Sequence, residues 1–441
     1  MSGQKPREIA VQILQAREKG GFVENLLENA LARTRLSPQD RGLCQELVYG
    51  VVRWQATLDW LITRKTDARP KKPVLQDILR LGLYQLFWLD RIPNHAAVHE
   101  TVELAKAYRL SGQAGFINAV LRGYLRESDA TRQSLRELKL SQPELGYSHP
   151  EWLQKRWQSR WGAEKTTALL EWNNSPPKTF ARINTLKADP GKLLAQWREE
   201  NVEYDFVRHD WFEENLIFEL KSHPPLATLP SFIQGLFYVQ DPSTLLAVQM
   251  LAPERGETIL DLCAAPGGKL TYAAQLLANG GRIVAHDTAP DRLNLIEENC
   301  KRLGVTCVQA ILPAALHPAH LHSKDAPAIS AVPKTFDRIL LDAPCSNTGV
   351  MRRRVDLRWR IREEEISRLR SIQRDLLEKA GRLLKPGGTL VYSTCSLEPE
   401  ENADLVAEFI SHYPQFKLKE QRELLPFSDG VDGAYVARFL L

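Results

Sequence analysis

The sequence is poor in the features that commit a chain to a membrane, a disulfide framework or a repeat array. No apolar run approaches the ~20 residues that cross a bilayer, and mean hydropathy is −0.32. The opening residues Met1-Ser2-Gly3-Gln4-Lys5-Pro6-Arg7-Glu8 lack the apolar core of a secretory leader. Only six cysteines occur in 441 residues (Cys44, Cys263, Cys300, Cys307, Cys345, Cys395), with no C-x-x-C pair. That usage fits a reducing compartment, so a cytoplasmic protein without membrane contact is expected. G-x-G-x-x-G and G-x-x-x-x-G-K-[ST] are both absent. A nicotinamide-dependent oxidoreductase and a P-loop nucleotidase are therefore disfavoured. His317, His320 and His322 share one loop-like stretch without thiols or carboxylates at ligand spacing, and no metal is expected.

What is present is ordinary in bulk and uneven in detail. Hydrophobic residues make up 43% and charged residues 25% of the chain, as in soluble globular proteins, and the length leaves room for two or three cores. Residues 1–140 hold 22 lysines and arginines against 15 acids, a surplus of +7, which leaves −3 on the remainder. A basic front could draw a polyanion through counterion release, or could simply be a solvated helical surface.

The periodicity divides the chain into three. Over 1–140, Leu43, Leu47, Val48 and Val51, then Leu75, Ile78, Leu79, Gly82 and Leu86, then Val98, Val102 and Ala105 repeat with helical spacing. Ser37-Pro38 reads as a helix cap followed by proline in the first turn. Over 141–240, Trp152, Trp157, Trp161 and Trp172 sit among cations and fit core packing better than base stacking. Asn173-Asn174-Ser175-Pro176-Pro177 then breaks the chain, and Phe180 to Asn184 alternates like a strand. This part reads as a small α/β module whose strands are hard to place. Over 241–441, short apolar strands end at Asp261, Asp287, Asp342 and Cys395 and alternate with helices, one of them carrying Ile366, Leu369, Ile372, Leu376 and Leu383. Such alternation predicts a parallel, doubly wound sheet with its ligand outside the carboxyl ends of the strands.

Those strand ends carry the chemistry. The turn Cys263, Ala264, Ala265, Pro266, Gly267, Gly268 and Lys269 follows a strand and opens a helix. Its small residues let backbone N–H groups approach a ligand. Asp287 ends the next strand, where an acid bonds a ribose hydroxyl. Taken alone, the turn fits a ligand cradle better than a plain strand–turn–helix corner, which stays the alternative. Asp342-Ala343-Pro344-Cys345 and Ser393-Thr394-Cys395-Ser396 end two further strands. Asp342 is placed to meet a base, and the polar neighbours of Cys345 make burial a poor account of it. Cys395 precedes Leu397 to Asn402, read as a helix entry that would favour a thiolate. Two thiols, a carboxylate and a cofactor turn match the needs of methylation at carbon 5 of cytosine. That carbon becomes nucleophilic only after a thiolate adds at carbon 6, and a second group must help remove the proton and release the enzyme.

These motifs resemble the RNA 5-methylcytosine methyltransferases that use S-adenosyl-L-methionine. The segments Phe237-Tyr238-Val239-Gln240-Asp241-Pro242-Ser243 and 429–438 are also similar to that family, and 40–50 with 116–122 resemble the RNA-binding NusB domain. The resemblance implies a Rossmann-like methyltransferase domain at 241–441, a small α/β RNA-binding module at 141–240 and an all-helical NusB-like domain at 1–140. It implies Cys395 as nucleophile, Cys345 as the thiol that assists release, Asp342 orienting the cytosine and lining the cofactor site, and Lys269 reaching towards the base. Residues 263–269, Asp287 and Asp342 would hold S-adenosyl-L-methionine. The implied substrate is one cytosine of 16S ribosomal RNA, naked or in a partly assembled subunit, met by a monomer. The same chemistry on transfer RNA and a non-catalytic RNA-binding assembly factor are the alternatives. Two stretches depart from the family. Gln309 to Pro313 lack the acid expected near the adenine, and Arg354-Val355-Asp356 stands where the family has His-Pro-Asp.

Overall fold

The computed structural model describes residues 5–66, 70–312 and 332–441, so His317, His320, His322 and Pro313 lie outside the described residues. The chain divides into two compact units, 1–176 with 351–360, and 177–350 with 361–441.

The first unit is helical throughout. Its helices include Pro6–Glu18, Val23–Ala32, Pro38–Arg53, Gln55–Thr66, Pro73–Trp88, Asn94–Ala107, Ala114–Arg126 and Glu151–Asn174. The Ser37 side chain accepts the Asp40 N–H and Pro38 occupies the first turn, as the sequence suggests. Pro73–Trp88 is buried on nearly every face, which marks it as the central helix. Two of its buried residues are charged. Arg80 donates through Nε (2.8 Å) and Nη2 (3.0 Å) to Asp59 and through Nη1 to Asp77 (2.9 Å). Of the four tryptophans, Trp157 is buried and Trp152, Trp161 and Trp172 are half-buried.

The segment 351–360 is knitted into this unit. Asp356 accepts from Arg17 Nε (2.5 Å) and Arg360 Nε (2.7 Å). Arg358 is wholly buried, has no carboxylate partner among the described residues, and donates to the carbonyls of Arg53, Ser148 and Asn173 and to Asn174 Oδ1. Burial lowers its pKa to about 9, with Arg53 adding to the shift. Trp359 Nε1 donates to the Val52 carbonyl, and Val355 packs in the helical core.

The second unit holds two sheets. Strands β1 (Thr179–Ile183), β2 (Glu203–Phe206), β3 (Ile217–Ser222) and β4 (Phe237–Val239) form an antiparallel sheet in the order β2-β3-β1-β4. The larger sheet comprises β5 (Thr258–Asp261), β6 (Arg282–His286), β7 (Val308–Ile311), β8 (Phe336–Asp342), β9 (Leu384–Thr394), β10 (Lys417–Leu424) and β11 (Ala434–Leu440), ordered β10-β11-β9-β8-β5-β6-β7. Strands β9, β8, β5, β6 and β7 are parallel and the β10–β11 pair is antiparallel. Alternate residues face opposite cores, Ile259, Ile283, Leu340 and Val391 on one side and Leu260, Val284, Leu341 and Tyr392 on the other. Strands buried on both faces read as continuous apolar runs, which is why these were visible in the sequence. The chain runs from β5 outward to β6 and β7 on one side and returns to β8 and β9 on the other. The switch point therefore lies between β5 and β8, where doubly wound sheets bind ligands.

Candidate active site

The turn after β5 is braced from its neighbours. Ala264 N–H donates to the His286 carbonyl (3.0 Å), and Ala265 N–H to Asp287 Oδ2 (3.1 Å). Asp287 also takes the Thr288 N–H (2.8 Å) and pairs with Arg292 (3.2 Å). The expected ribose-binding acid is thus a brace for the turn as well. Gly267 lies at φ 105°, a left-handed conformation that a side chain would strain. The helix Gly268–Leu276 starts there, and its leading N–H groups have no acceptor in their own helix.

Charges converge on the switch point. Lys269 Nζ lies 2.6 Å from Asp342 Oδ2, and Ser393 Oγ donates to Asp342 Oδ1 (2.8 Å). Burial opposes the Lys269 charge, but Asp342 outweighs it and the pKa is raised. Asp261 is buried, and its carboxyl is pushed up to about 7, first by burial and then by the charge of Asp342. Burial, with Asp261 next, raises the pKa of Cys263, which keeps that residue a thiol.

The two cysteines meet. Cys345 Sγ and Cys395 Sγ are 3.4 Å apart, and the Cys395 thiol donates to Asn347 Oδ1 (3.0 Å). Asn347 Nδ2 donates to the Cys345 carbonyl (2.6 Å), which fixes the amide's orientation. The pKa of Cys345 is raised well above the ordinary thiol value, by its hydrogen bond with Cys395 and then by burial.

One local expectation fails. Cys345 is buried, at 7% exposure, despite its polar neighbours. Ser346 and Thr348 are buried with it, and the carboxylate of Glu401 satisfies Ser346. Residues 397–402 do lead into a helix, Ala403–His412, but through a short 3₁₀ turn Pro399–Glu401. The immediate partners of that thiol are therefore Asn347 and Cys345 rather than a helix end. The departures from the family are also placed. Gln309 lies on β7 and accepts from Arg282 Nη2 (2.5 Å), while Val355 and Asp356 belong to the helical core. Glu401, Asn347, Ser393 and Gln373 were not singled out from the sequence. The repeated Cys-Ser dipeptide at 345–346 and 395–396 was the available signal, since two buried hydroxyls need an acceptor.

Three family models match successive parts of the chain. A family model for the 16S rRNA methyltransferase RsmB/F matches residues 248–440, the NusB family model matches 4–126, and the RsmF/B-like ferredoxin-like domain matches 149–221. The chain is 36% identical over 417 residues to the probable ribosomal RNA small subunit methyltransferase B of Bacillus subtilis (strain 168), spanning 93% of this chain and 89% of that one. It is 37% identical over 447 residues to the ribosomal RNA small subunit methyltransferase B of Klebsiella pneumoniae subsp. pneumoniae, spanning 98% and 97%. Among solved structures, PH0851 matches with a TM-score of 0.77 at 25% identity over 99% of this chain and 100% of that one. A methyltransferase homologue from Pyrococcus horikoshii matches with a TM-score of 0.57 at 30% identity over 67% and 97%. The expected fold classes are borne out, with a NusB-like helical part, a ferredoxin-like module and a Rossmann-like methyltransferase fold.

Proposed function

Because the chain belongs to the 16S rRNA methyltransferase RsmB/F family, whose cofactor is S-adenosylmethionine, we propose that it methylates carbon 5 of one cytosine in 16S ribosomal RNA through a covalent bond from Cys395 to carbon 6. The observation that carries this reading is the thiol pair at 3.4 Å, beyond the ends of the neighbouring strands β8 and β9, with the Lys269–Asp342 pair at the end of β8.

The residues present fit the cofactor. The leading N–H groups of Gly268–Leu276 suit its carboxylate, and Asp287 stands where a ribose is met. When bound, S-adenosylmethionine supplies an electrophilic methyl group. The protein's own part is to hold the base and make its carbon 5 nucleophilic. The target cytosine leaves its stack to reach the site, and Asp342, held by Lys269 and Ser393, orients it. Once the Cys395 thiol has released its proton to solvent, the thiolate adds to carbon 6 and the C5=C6 electron pair moves to carbon 5, which takes the methyl group. Cys345, its own thiol proton first lost to solvent, then receives the carbon 5 proton as a thiolate. The C5=C6 bond reforms, and the C6–S bond breaks with its pair returning to Cys395. The hydrogen bond with Cys395 is the largest cause of the high Cys345 pKa. It weakens once Cys395 is a thioether, so Cys345 becomes easier to ionise when a base is required.

The helical front, with its surplus of +7, draws the RNA, either naked or in a partly assembled small subunit in the cytoplasm. The test is incubation with labelled S-adenosylmethionine and unmethylated 16S rRNA, followed by nucleoside analysis. One labelled 5-methylcytidine is expected. Cys395→Ala should abolish it, and Cys345→Ala should leave protein covalently attached to RNA through denaturation. Normal turnover in Cys395→Ala would sink the mechanism.

A further inference from the structure

Both thiol-bearing turns continue with a serine, and both serines are buried. Their side chains converge on one carboxylate. Glu401, itself fully buried, accepts the Ser346 N–H (2.9 Å) and Gln373 Nε2 (2.8 Å) on Oε1. Its Oε2 accepts the hydroxyls of Ser346 (2.5 Å) and Ser396. Gln373 Nε2 also donates to the carbonyl of Pro344, the residue before Cys345 (2.9 Å). The Glu401 carbonyl accepts the Tyr392 hydroxyl (2.7 Å), which ties it to β9, the strand that delivers Cys395. Burying a carboxylate is unfavourable unless its lone pairs are filled. An apolar residue of similar volume often stabilises a core as well or better, so stability alone gives little reason for an acid here. Three of the four donors to its carboxylate come from the residue following each thiol, and the fourth is Gln373.

We infer that Glu401 is a positioning residue for methyl transfer, fixing the spacing of the two sulfurs so that Cys345 reaches the carbon 5 proton while Cys395 is bonded to carbon 6. This rests on the thiol roles proposed above. Carbons 5 and 6 are bonded neighbours, so the sulfurs that serve them must stay a few ångströms apart, as the 3.4 Å separation provides. A misplacement of ~1 Å costs about a hundredfold in rate.

Two readouts on full-length Glu401→Gln and Ser346→Ala test this. The first needs no RNA. Diamide takes two protons and two electrons from the thiol pair, becoming the hydrazine, and the Cys345–Cys395 disulfide is followed by peptide mapping. Closure should be roughly tenfold slower or more in both variants. The second is turnover on 16S rRNA. It should fall by roughly tenfold or more, with KM for S-adenosylmethionine unchanged and the denaturation-resistant RNA adduct accumulating. Ser346→Ala leaves the carboxylate its remaining donors, so it decides the matter should Glu401→Gln not fold. Wild-type disulfide closure in Ser346→Ala would overturn the inference, as would lost turnover without adduct. Slowed closure in the variants, with no 5-methylcytidine from the wild-type protein, would uphold the spacing role and overturn the reaction assigned to the site.

Discussion

At Gly349 the backbones of the two thiol turns are in direct contact. Its N–H donates to the Cys395 carbonyl (2.9 Å), and its own carbonyl accepts the Gly433 N–H (2.9 Å). A methyl group at this position would stand 2.7 Å from the Gly433 oxygen and 2.8 Å from the Cys395 oxygen, against the 3.4 Å at which ordinary contact begins. The shortfalls, 0.7 Å against Gly433 (3.4 − 2.7) and 0.6 Å against Cys395 (3.4 − 2.8), fall on backbone atoms, which cannot rotate aside, so Gly349→Ala must push the Cys345 turn away from the Cys395 turn. Overpacking of this kind costs about 1–3 kcal/mol of stability. Moving the sulfurs apart by most of an ångström should cost methyl transfer roughly tenfold to a hundredfold. Single-turnover transfer at saturating cofactor and RNA, beside a thermal unfolding curve, measures both. A wild-type transfer rate, or a loss that only tracks the unfolded fraction, would refute the argument that the close approach sets the spacing.

The remaining expectations concern charge. Asp261 is raised from 3.8 to about 7, so between about pH 4 and 7 the native state holds a proton that the unfolded chain has released. Stability from this group is therefore complete below about pH 4 and is lost as the pH rises through 7, by up to about 4 kcal/mol. Asp261→Asn should flatten that fall in urea titrations, and an unchanged slope would assign it elsewhere. Asp356→Ala would leave Arg17 and Arg360 without their shared buried carboxylate. It should destabilise the helical unit by about 3–5 kcal/mol, read as a lower unfolding midpoint; an unshifted midpoint would contradict the anchoring role. RNA affinity should fall steeply with salt, the logarithmic slope steepening by about 0.7–0.9 for each phosphate contact. A flat response would return the surplus of the front half to ordinary surface charge.

Elements buried on both faces were legible in the sequence, and elements defined by long-range polar contacts were not. Strands β5, β6, β8 and β9 appeared as apolar runs with functional residues at their ends. Of the smaller sheet, β2 is largely exposed and β4 spans three residues, so neither leaves a usable alternation. On the helix Glu363–Leu383 the sequence places the apolar stripe through Ile372 and Leu376, yet at that level the buried positions are their neighbours Gln373 and Leu377. A glutamine is drawn inward there because Glu401 and the Pro344 carbonyl accept from it. The same carboxylate explains the burial of Cys345 and its polar neighbours. No periodicity connects residues 346, 373, 396 and 401, so this network becomes visible only once the chain has folded.

The placement of 351–360 bears on how such a protein can be taken apart. This stretch lies within the span matched by the methyltransferase family model, yet its side chains complete the helical unit. A cut at 176/177 would strip the front of the guanidinium that satisfies three of its buried carbonyls, and would expose Val355, Arg358 and Trp359 on the remainder. Neither fragment inherits a finished interior. The front helices are therefore not an interchangeable cassette, and recombination that swaps them must bring this ten-residue insert along or rebuild its contacts.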